Sequence, residues 1–517
     1  MLKYFDAISY LTLPSLLMRG GSKIFIFSLY TCALVVSVTY ASPETSPSSV
    51  KTVISSPITS EQIKEIKKSA QQGDVQAQCQ LAICYGKGTG VQQDYQKAFQ
   101  WALKATQKNS AEGQFLAASC YYQGKGIKQD LEEALRLFSM AAHQGHIHAQ
   151  NNLGTMYRDG VGIRKDFKEA MKWFSLAAQQ GDAEAQYNIG VMYIKGDGVP
   201  QSWKEGSVWL ERAAVQGYAP AQNNLGMMYL KGWGLSQDLK ESAKWFSLAA
   251  QQGDAESQYI LGYYYVQGNP VKQDLKEAFV WLERSAMQGY VPAQVYLGAI
   301  YFQGTGVERD LKEAFKWFSL AAKQNDPEAQ YNLGIMYQNG IGVSQNNSEA
   351  FKLYSEAARQ QYAPAQNNLG VLYSLGNGVG KDLKEAGKWF SLAATQGYSN
   401  AQYNLGRMYR DGLGRTQNTQ EAFKWFSLAA KQNDPEAQYN LGWMYQKGSG
   451  VEQNDQEAFR WYGRAAGSGH ADAQFRLGQL YHEGKGAEKN GAEARKWLEK
   501  AAKQGHEQAQ DLLKMLD

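Results

Sequence analysis

The residues of this chain that could perform chemistry form only weak patterns. Ser48 and Lys51 have the Ser-x-x-Lys spacing of a nucleophile and its base. They lie in a Pro- and Ser-rich segment, where nothing could hold them in a fixed geometry. Gly-x-Gly units such as residues 160–162 are typical of phosphate-binding loops only when they follow a strand. Here they separate two predicted helices, so neither pattern indicates an active site.

Three histidines, His143, His146 and His148, are close enough in sequence to suggest a metal site. They fall in a polar connection between two predicted helices, and the chain has no His-Glu-x-x-His motif. We therefore predict no bound metal, no cofactor and no enzymatic activity. A net charge of +4 without a block of basic residues also argues against nucleic-acid binding.

The elements that position any binding residue are set by a repeat of 36 residues. A Gln recurs at this interval from Gln78 to Gln474, a Tyr follows seven residues later in every copy, and a Gly follows three residues after that. Twelve copies occupy residues 75–506 without insertion or deletion. A fixed period of this length is typical of a solenoid, in which each unit packs only on its neighbours.

Each copy is predicted to be a helix–turn–helix. Residues 326–328, Asp-Pro-Glu, have the composition of a helix start, and Gly340 stands where a left-handed residue would end that helix. The second helix begins at a capping-box pair such as Asp310 and Glu313. It carries Ala-x-x-Trp-Phe in many copies, so we expect its Trp, for example Trp173, to be a wedge in the core.

Both ends of the array match half a repeat. Residues 61–74 align only with a second helix and residues 507–517 only with a first helix, as expected for the caps of a solenoid. Residues 42–60 read as a Pro- and Ser-rich linker. The predicted fold is therefore all-α: a right-handed α/α superhelical solenoid of twelve helix–turn–helix repeats with half-repeat caps.

Residues 1–41 differ from the rest of the chain. An apolar run, residues 24–40, follows two basic residues and ends at small residues around Ala41. This order favours a secretory signal peptide, with Met18 as an alternative start. An uncleaved membrane anchor is the second interpretation. We therefore expect an exported protein, periplasmic or secreted, which touches a membrane only through this segment if it is retained.

Cys84 and Cys120 occupy the same position in adjacent repeats, where Met usually stands. We interpret both as small residues of the core. A disulfide between them is the alternative, although neighbouring helix axes about 8–10 Å apart would strain it.

The run from Ala149 to Gly162, Ala-Gln-Asn-Asn-Leu-Gly-Thr-Met-Tyr-Arg-Asp-Gly-Val-Gly, closely resembles the Sel1-like repeat (SLR) family, a cousin of the tetratricopeptide repeat. The resemblance extends over residues 61–517. It implies an adaptor for proteins, in membrane-protein quality control in eukaryotes, or in signalling, envelope processes and host contact in bacteria. Some secreted bacterial members carry a disulfide in each repeat, and some cysteine-rich relatives bind or cleave β-lactams. This chain lacks those cysteines.

Binding chemistry is better supported by the first helices. We number each repeat from the residue three before its Gln; positions 2, 5, 6, 9, 12 and 13 would line the concave face if the helices pack as in tetratricopeptide repeats. Position 6 is often Asn, whose amide can bond to the backbone of an extended peptide. The predicted contacts of this kind are Asn188, Asn224 and Asn332, with Tyr259 at position 5. The alternative is that these amides bond to the neighbouring repeat.

Positions 9 and 12 differ most between copies, so they should determine specificity. In repeats four to seven they are mainly apolar, and we predict one contiguous strip formed by Val191, Ile194, Met227, Leu230, Tyr263, Val266 and Phe302. Repeat ten carries Arg407 and Arg410 instead, which favours an acidic stretch on the same partner. Extra packing between repeats is the alternative interpretation of the apolar strip.

The sequence thus predicts a monomeric, non-enzymatic scaffold that binds a protein or peptide along its concave face, in bacterial envelope function or host interaction. A membrane-anchored regulator of signalling is one alternative function. A hydrolase directed at cell-wall components or β-lactams is the other. Positions that vary on the surface between copies favour the scaffold over the enzyme.

Overall fold

The structure is a computed structural model, and it describes residues 59–516 of the chain. Every element of regular structure in that range is an α-helix, 26 in all, and no strand occurs there. The signal peptide or anchor predicted for residues 1–41, and nearly all of the linker predicted for residues 42–60, lie outside the described residues. None of the helices in the described range is long and apolar enough to cross a membrane.

Each repeat contributes two helices. The first helices are α2 (Val75–Lys87), α4 (Ala111–Gln123), α6 (Ile147–Asp159), α8 (Ala183–Lys195), α10 (Ala219–Lys231), α12 (Ala255–Gln267), α14 (Val291–Gln303), α16 (Pro327–Asn339), α18 (Ala363–Leu375), α20 (Ser399–Asp411), α22 (Pro435–Lys447) and α24 (Ala471–Glu483). The second helices are α3 (Tyr95–Thr106), α5 (Leu131–His143), α7 (Phe167–Gln179), α9 (Trp203–Val215), α11 (Leu239–Gln251), α13 (Leu275–Met287), α15 (Leu311–Lys323), α17 (Asn347–Arg359), α19 (Leu383–Thr395), α21 (Thr419–Lys431), α23 (Asp455–Gly467) and α25 (Gly491–Lys503). Single helices flank the array: α1 (Ser60–Gln71) and α26 (Glu507–Leu516).

The helices form two compact units, one ending at Gln288 and the other beginning at Gly289. Within each unit, a first helix packs on the second helix of its own repeat, and that second helix packs on the next first helix. Contacts are therefore between neighbours in sequence, as the 36-residue period predicts. The predicted all-α solenoid of paired helices is confirmed.

The helices begin and end where the sequence indicates. Asp326 accepts a hydrogen bond from the backbone N–H of Ala329 at 2.8 Å, and Gly340 ends α16 in the left-handed region at φ 65°. At the start of α15 only half of the predicted capping box forms. Asp310 accepts from the N–H of Glu313 at 3.0 Å, but the Glu313 carboxylate pairs with Lys316 at 2.9 Å.

The wedge of each second helix is the residue after the expected Trp. Phe174 is fully buried, and the residue at the same position is also buried in the other copies. Trp173 is buried too, but Trp209 and its equivalents in several repeats are only half-buried, so the prediction of a Trp wedge holds in some copies and is wrong in others. A Cβ on Gly154 would lie 2.7 Å from Cδ1 of Phe174, so the facing first helix needs glycine there.

The cysteines at the position usually held by Met are free thiols. Cys84 is buried, Cys120 is half-buried, and no disulfide joins them. Burial raises the pKa of Cys120 to about 11, so its thiol stays protonated at neutral pH. Both residues therefore act as small apolar side chains, the first of the two interpretations.

Candidate functional site

The predicted binding residues lie on the face formed by positions 2, 5, 6, 9, 12 and 13 of the first helices, which we call the first-helix face. Solvent exposure divides these residues into two groups. The buried group is Asn188, Val191, Ile194, Tyr259 and Asn332. The group with partly exposed side chains is Asn224, Met227, Leu230, Tyr263, Val266, Phe302, Arg407 and Arg410. Partner binding by either group stays a prediction.

Val191 and Ile194 do not line an exposed strip. Their exposed fractions are 0% and 4%, and both belong to the core cluster that includes Leu210 of α9. The cause lies in the facing helix, where Gly206 stands at the position that is Ala in most other repeats. A Cβ on Gly206 would lie 2.6 Å from Cγ1 of Ile194, so the isoleucine fills space that the alanine methyl takes elsewhere. For these two residues the packing interpretation is correct.

The remaining apolar residues of the strip are accessible. Met227 and Leu230 on α10, and Tyr263 and Val266 on α12, are half-buried at equivalent positions of successive first helices; we call these four residues the α10–α12 patch. Burial raises the pKa of Tyr263 to about 12, so its phenol stays neutral. In the second unit, Phe302 is half-buried, and the guanidinium of Arg309 lies 5.8 Å from its ring centroid.

Three of the asparagines at position 6 bond to the preceding repeat. Asn188 Nδ2 donates to Asn151 Oδ1 at 3.1 Å, and Asn224 Nδ2 donates to the hydroxyl of Tyr187 at 3.3 Å. Asn404 repeats the pattern by donating to Asn367 at 3.0 Å. In each case the acceptor is position 5 of the repeat before. For these residues the alternative interpretation, a bond between repeats, describes the structure.

The arginines at position 12 also join repeats. Arg410 donates to both carboxylate oxygens of Asp411, at 2.7 and 2.9 Å, and to Oδ1 of Asn440 in the next repeat. These partners occupy much of the guanidinium, which weakens the argument that Arg410 attracts an acidic segment. Arg407 is half-buried, and its guanidinium lies 5.8 Å from the Tyr403 ring centroid.

One of the three clustered histidines forms a cap between repeats. His146 precedes α6; its Nδ1 accepts from the N–H of Ala149 at 3.1 Å, and its Nε2 lies 3.0 Å from a carboxylate oxygen of Glu112. Its ring also stacks on Phe115 with the centroids 4.6 Å apart. Across the described residues no group of three or more His, Cys, Asp or Glu could hold a metal ion. Of the three clustered histidines only His146 caps a helix, while His143 bonds to Ser139 within α5 and His148 lies 3.5 Å from a carboxylate oxygen of Asp182.

Sequence reasoning missed the position just before each first helix, position 36 of the repeat. It holds Ser, Asp or His in most copies, but Tyr218, Tyr290, Tyr362 and Tyr398 stand there in four, and none of these four makes a side-chain cap. The ring of Tyr218 instead lies 5.3 Å from that of Tyr187, and the ring of Tyr362 lies 5.5 Å from that of Tyr331. A tyrosine in place of a capping residue was the signal that could have revealed them.

The family follows from the match to every repeat. A model of the Sel1 repeat matches twelve consecutive segments of this chain, from residues 75–110 to residues 471–506. The chain belongs to the Sel1 repeat family. It is thus a Sel1-repeat solenoid scaffold, an architecture consistent with protein–protein interaction.

A solved structure supports the same assignment. A protective antigen present in uropathogenic Escherichia coli strains, which displays an SLR fold, is 32% identical with a TM-score of 0.71; the match covers 87% of this chain and 97% of that one. A Sel1 repeat protein from Oxalobacter formigenes is 36% identical with a TM-score of 0.49, over 60% of this chain and 90% of that one. A comparison with curated proteins finds no match.

The recurrent Gln of the Sel1 repeat has a structural role in this chain. Gln150 Nε2 donates to the carbonyl of Ala142 in the preceding second helix at 3.1 Å, and Gln150 Oε1 accepts from Gln180 at 2.8 Å. Gln222 makes the same two bonds, to Ala214 and from Gln252. One buried amide thus joins three helices. Glutamines bonded in this way are therefore not candidates for ligand binding, although the twelve are the most regular polar residues in the sequence.

Proposed function

We propose that this protein is an exported scaffold without catalytic activity, which binds a protein or peptide along the first-helix face. The α10–α12 patch carries the proposal. It presents Met227, Leu230, Tyr263 and Val266, all partly exposed, whereas Asn188 and Asn224 on the same face are engaged in bonds between repeats. Half-buried apolar side chains on a rigid surface are suited to anchoring a partner, because binding removes them from water without a large entropic cost.

The setting of the proposal is bacterial envelope function or host contact. Its support is the E. coli relative, which is described as a protective antigen and matches 87% of this chain. The apolar run at residues 24–40, preceded by basic residues, supports export. If the run is retained rather than cleaved, the same binding face would belong to a membrane-anchored protein, the alternative of a signalling regulator.

The test is a double variant of the patch, Leu230→Asp with Val266→Asp. Proteins retained by the immobilised full chain from bacterial and host-cell extracts are identified by mass spectrometry and compared between wild type and variant. We expect the partners of the wild type to be lost, because two carboxylates would have to be buried against them. Circular dichroism should be unchanged, because both positions are half-exposed.

A matched control separates this face from the opposite one. Leu248→Asp changes an exposed leucine of α11 in the same repeat as Leu230, but on a second helix. The control should retain the partners of the wild type. If Leu248→Asp abolishes binding and the double variant does not, the site lies on the second helices and the proposal is wrong.

A further inference from the structure

An acid at position 2 of the first helix takes a histidine as its partner in three repeats. The pairs are Glu112 with His146 at 3.0 Å, Glu436 with His470 at 3.3 Å and Asp472 with His506 at 3.1 Å. In each pair the imidazole comes from position 36, at the end of the same repeat, and stacks on the aromatic residue at position 5, with ring centroids 4.5–4.8 Å apart. The carboxylate, the position-5 ring and an imidazole whose Nε2 faces the carboxylate thus form one recurring arrangement.

Glu328 of α16 occupies the same position without that partner. The residue at position 36 of this repeat is Tyr362 instead of histidine. Glu328 is exposed to solvent, and the described residues provide no ion pair to its carboxylate. Desolvation by the surrounding helices and, to a smaller extent, the neighbouring Asp326 carboxylate raise the pKa of Glu328 above its ordinary value. A carboxylate in this environment is stabilised by any cation that approaches it.

Tyr362 lies near this carboxylate, since burial and, to a smaller extent, the Glu328 charge raise the pKa of its phenol. The rings of Tyr331 and Tyr362 meet edge to face with their centroids 5.5 Å apart, and Tyr398 lies near Tyr331. All three rings are partly exposed. Burial raises the pKa of each phenol, so the three stay uncharged at neutral pH. Neutral aromatic faces beside a carboxylate attract cations, since cation–π attraction adds to the Coulomb term.

Tyr362 stands at the N-cap of α18, a position where tyrosine is not a preferred residue. It caps α18 without a side-chain hydrogen bond, whereas His146 and Asp326 at the same position both make one. The ring of Tyr362 packs instead against the core cluster that includes Tyr354. The substitution thus replaces the imidazole beside the acid by a neutral phenol and leaves Glu328 without an ion-pair partner among the described residues.

We propose that Glu328, with the rings of Tyr331, Tyr362 and Tyr398, binds a Lys or Arg side chain of an extended polypeptide partner. The cation of the partner takes the place that an imidazole holds beside Glu112 and Glu436. The inference rests on the proposed function, because it places the basic residue on a polypeptide that already lies along the first-helix face. We call this group of four residues the acid–aromatic notch.

The test uses a random peptide library displayed on phage and selected against the immobilised full chain. The wild type should select peptides enriched in Lys or Arg at one position. Glu328→Gln keeps the shape of the side chain and should remove that enrichment while still selecting peptides. Glu349→Gln, which changes an exposed acid of α17 in the same repeat, is the matched control and should keep the enrichment.

A double-mutant cycle with one selected peptide then locates the contact. Replacing the basic residue of the peptide by norleucine, or Glu328 by Gln, should each weaken binding roughly five- to thirty-fold, as measured by calorimetry. Combining the two changes should weaken binding no further, because both remove the same interaction. Additive losses would overturn the proposed contact.

Tyr362→His provides a test in the opposite direction. It recreates the arrangement of His146 and Glu112, so an internal imidazole should occupy the notch and abolish the preference for basic residues. Peptides selected without any basic preference, or with one that Glu328→Gln leaves unchanged, would overturn the notch and leave the scaffold function intact. A library that yields no binding peptide would overturn both proposals.

Discussion

Arg158 Nη1 donates to Oδ1 of Asn188, in the next repeat, at 3.0 Å, and the arginine is only 2% exposed. Its other nitrogens donate to both carboxylate oxygens of Asp159, at 2.6 and 2.7 Å. The Asn188 amide in turn donates to Asn151. One polar network thus joins the buried guanidinium of Arg158 to side chains of its own repeat and of the next repeat. This makes the junction between these two repeats specific to its place in the chain.

Asn188→Leu should destabilise this junction. The leucine removes the acceptor of a buried guanidinium, and an unpaired buried donor of this kind costs roughly 2–4 kcal/mol. Hydrogen exchange should become faster in α6 to α8 and stay unchanged in the second unit, because each repeat packs only on its neighbours. Asn404→Leu is the comparison, since Asn404 is half-buried and accepts no hydrogen bond from an arginine. An equal effect of the two substitutions would show that Arg158 does not depend on Asn188.

Phe246→Ala should cost about 3–5 kcal/mol, because the ring is fully buried against Gly226. Leu248→Ala, on the exposed side of the same helix, should change the free energy of unfolding by less than about 0.5 kcal/mol. Chemical denaturation measures both values. Hydrogen exchange of Phe246→Ala shows where the effect lies. Loss of amide protection that extends evenly over all twelve repeats would contradict the local packing of the solenoid.

Glu328→Gln should raise the melting temperature at pH 8 and leave it unchanged near pH 4. The pKa of Glu328 is raised in the folded protein, so its ionisation opposes folding, and the stability present below the unfolded pKa is lost as the pH rises through the folded pKa. Glutamine cannot ionise and avoids that loss. The increase should be small, because the side chain is exposed.

Glu349→Gln is the control for this prediction. Its carboxylate pairs with Lys352, so the substitution should lower the melting temperature slightly or leave it unchanged at pH 8. A lower melting temperature for Glu328→Gln at pH 8 would mean that the carboxylate has a stabilising partner.

The exported form should begin at or near Ser42. Small residues around Ala41 follow the apolar run, as in a signal-peptidase site. N-terminal sequencing of the protein purified from its native source gives the answer. A soluble protein that retains Met1 or Met18 would contradict cleavage, and a membrane-bound one with residues 24–40 intact would favour the anchored alternative.

The fold was predictable because it depends on short-range rules that are repeated twelve times. Asp326 and Gly340 mark the ends of α16 through chemistry local to the helix, and sequence alone reveals such signals. The residue of the second helix that forms the wedge in the core was harder to predict than the helix ends. Trp and the next residue are adjacent on the helix, and the turn between helices determines which of them points inward, so Phe174 rather than the Trp is the common core residue.

The binding face was predictable only in part. The period identifies which positions share a face, and this placed Leu230 and Val266 correctly as accessible side chains. It could not reveal that Gly206 draws Ile194 into the core, because that depends on the closeness of a helix in the second half of the repeat. Nor could it show that Asn188 has its partners inside the solenoid, since asparagine suits a ligand and a neighbouring repeat equally well.

The bonds that the recurrent glutamine makes between helices have an evolutionary consequence. Gln150 and Gln222 make the same bonds to the same backbone position, and neither depends on which copy precedes it. A gene built from such units can lengthen or shorten by duplication or loss of whole copies, since every new boundary meets a compatible neighbour. The arginines at position 12 restrict this freedom, because Arg158 needs the acceptor that Asn188 provides in the copy after it. Recombination can therefore reshuffle most of the array, while a copy that carries such an arginine must keep an asparagine at position 6 of the copy that follows it.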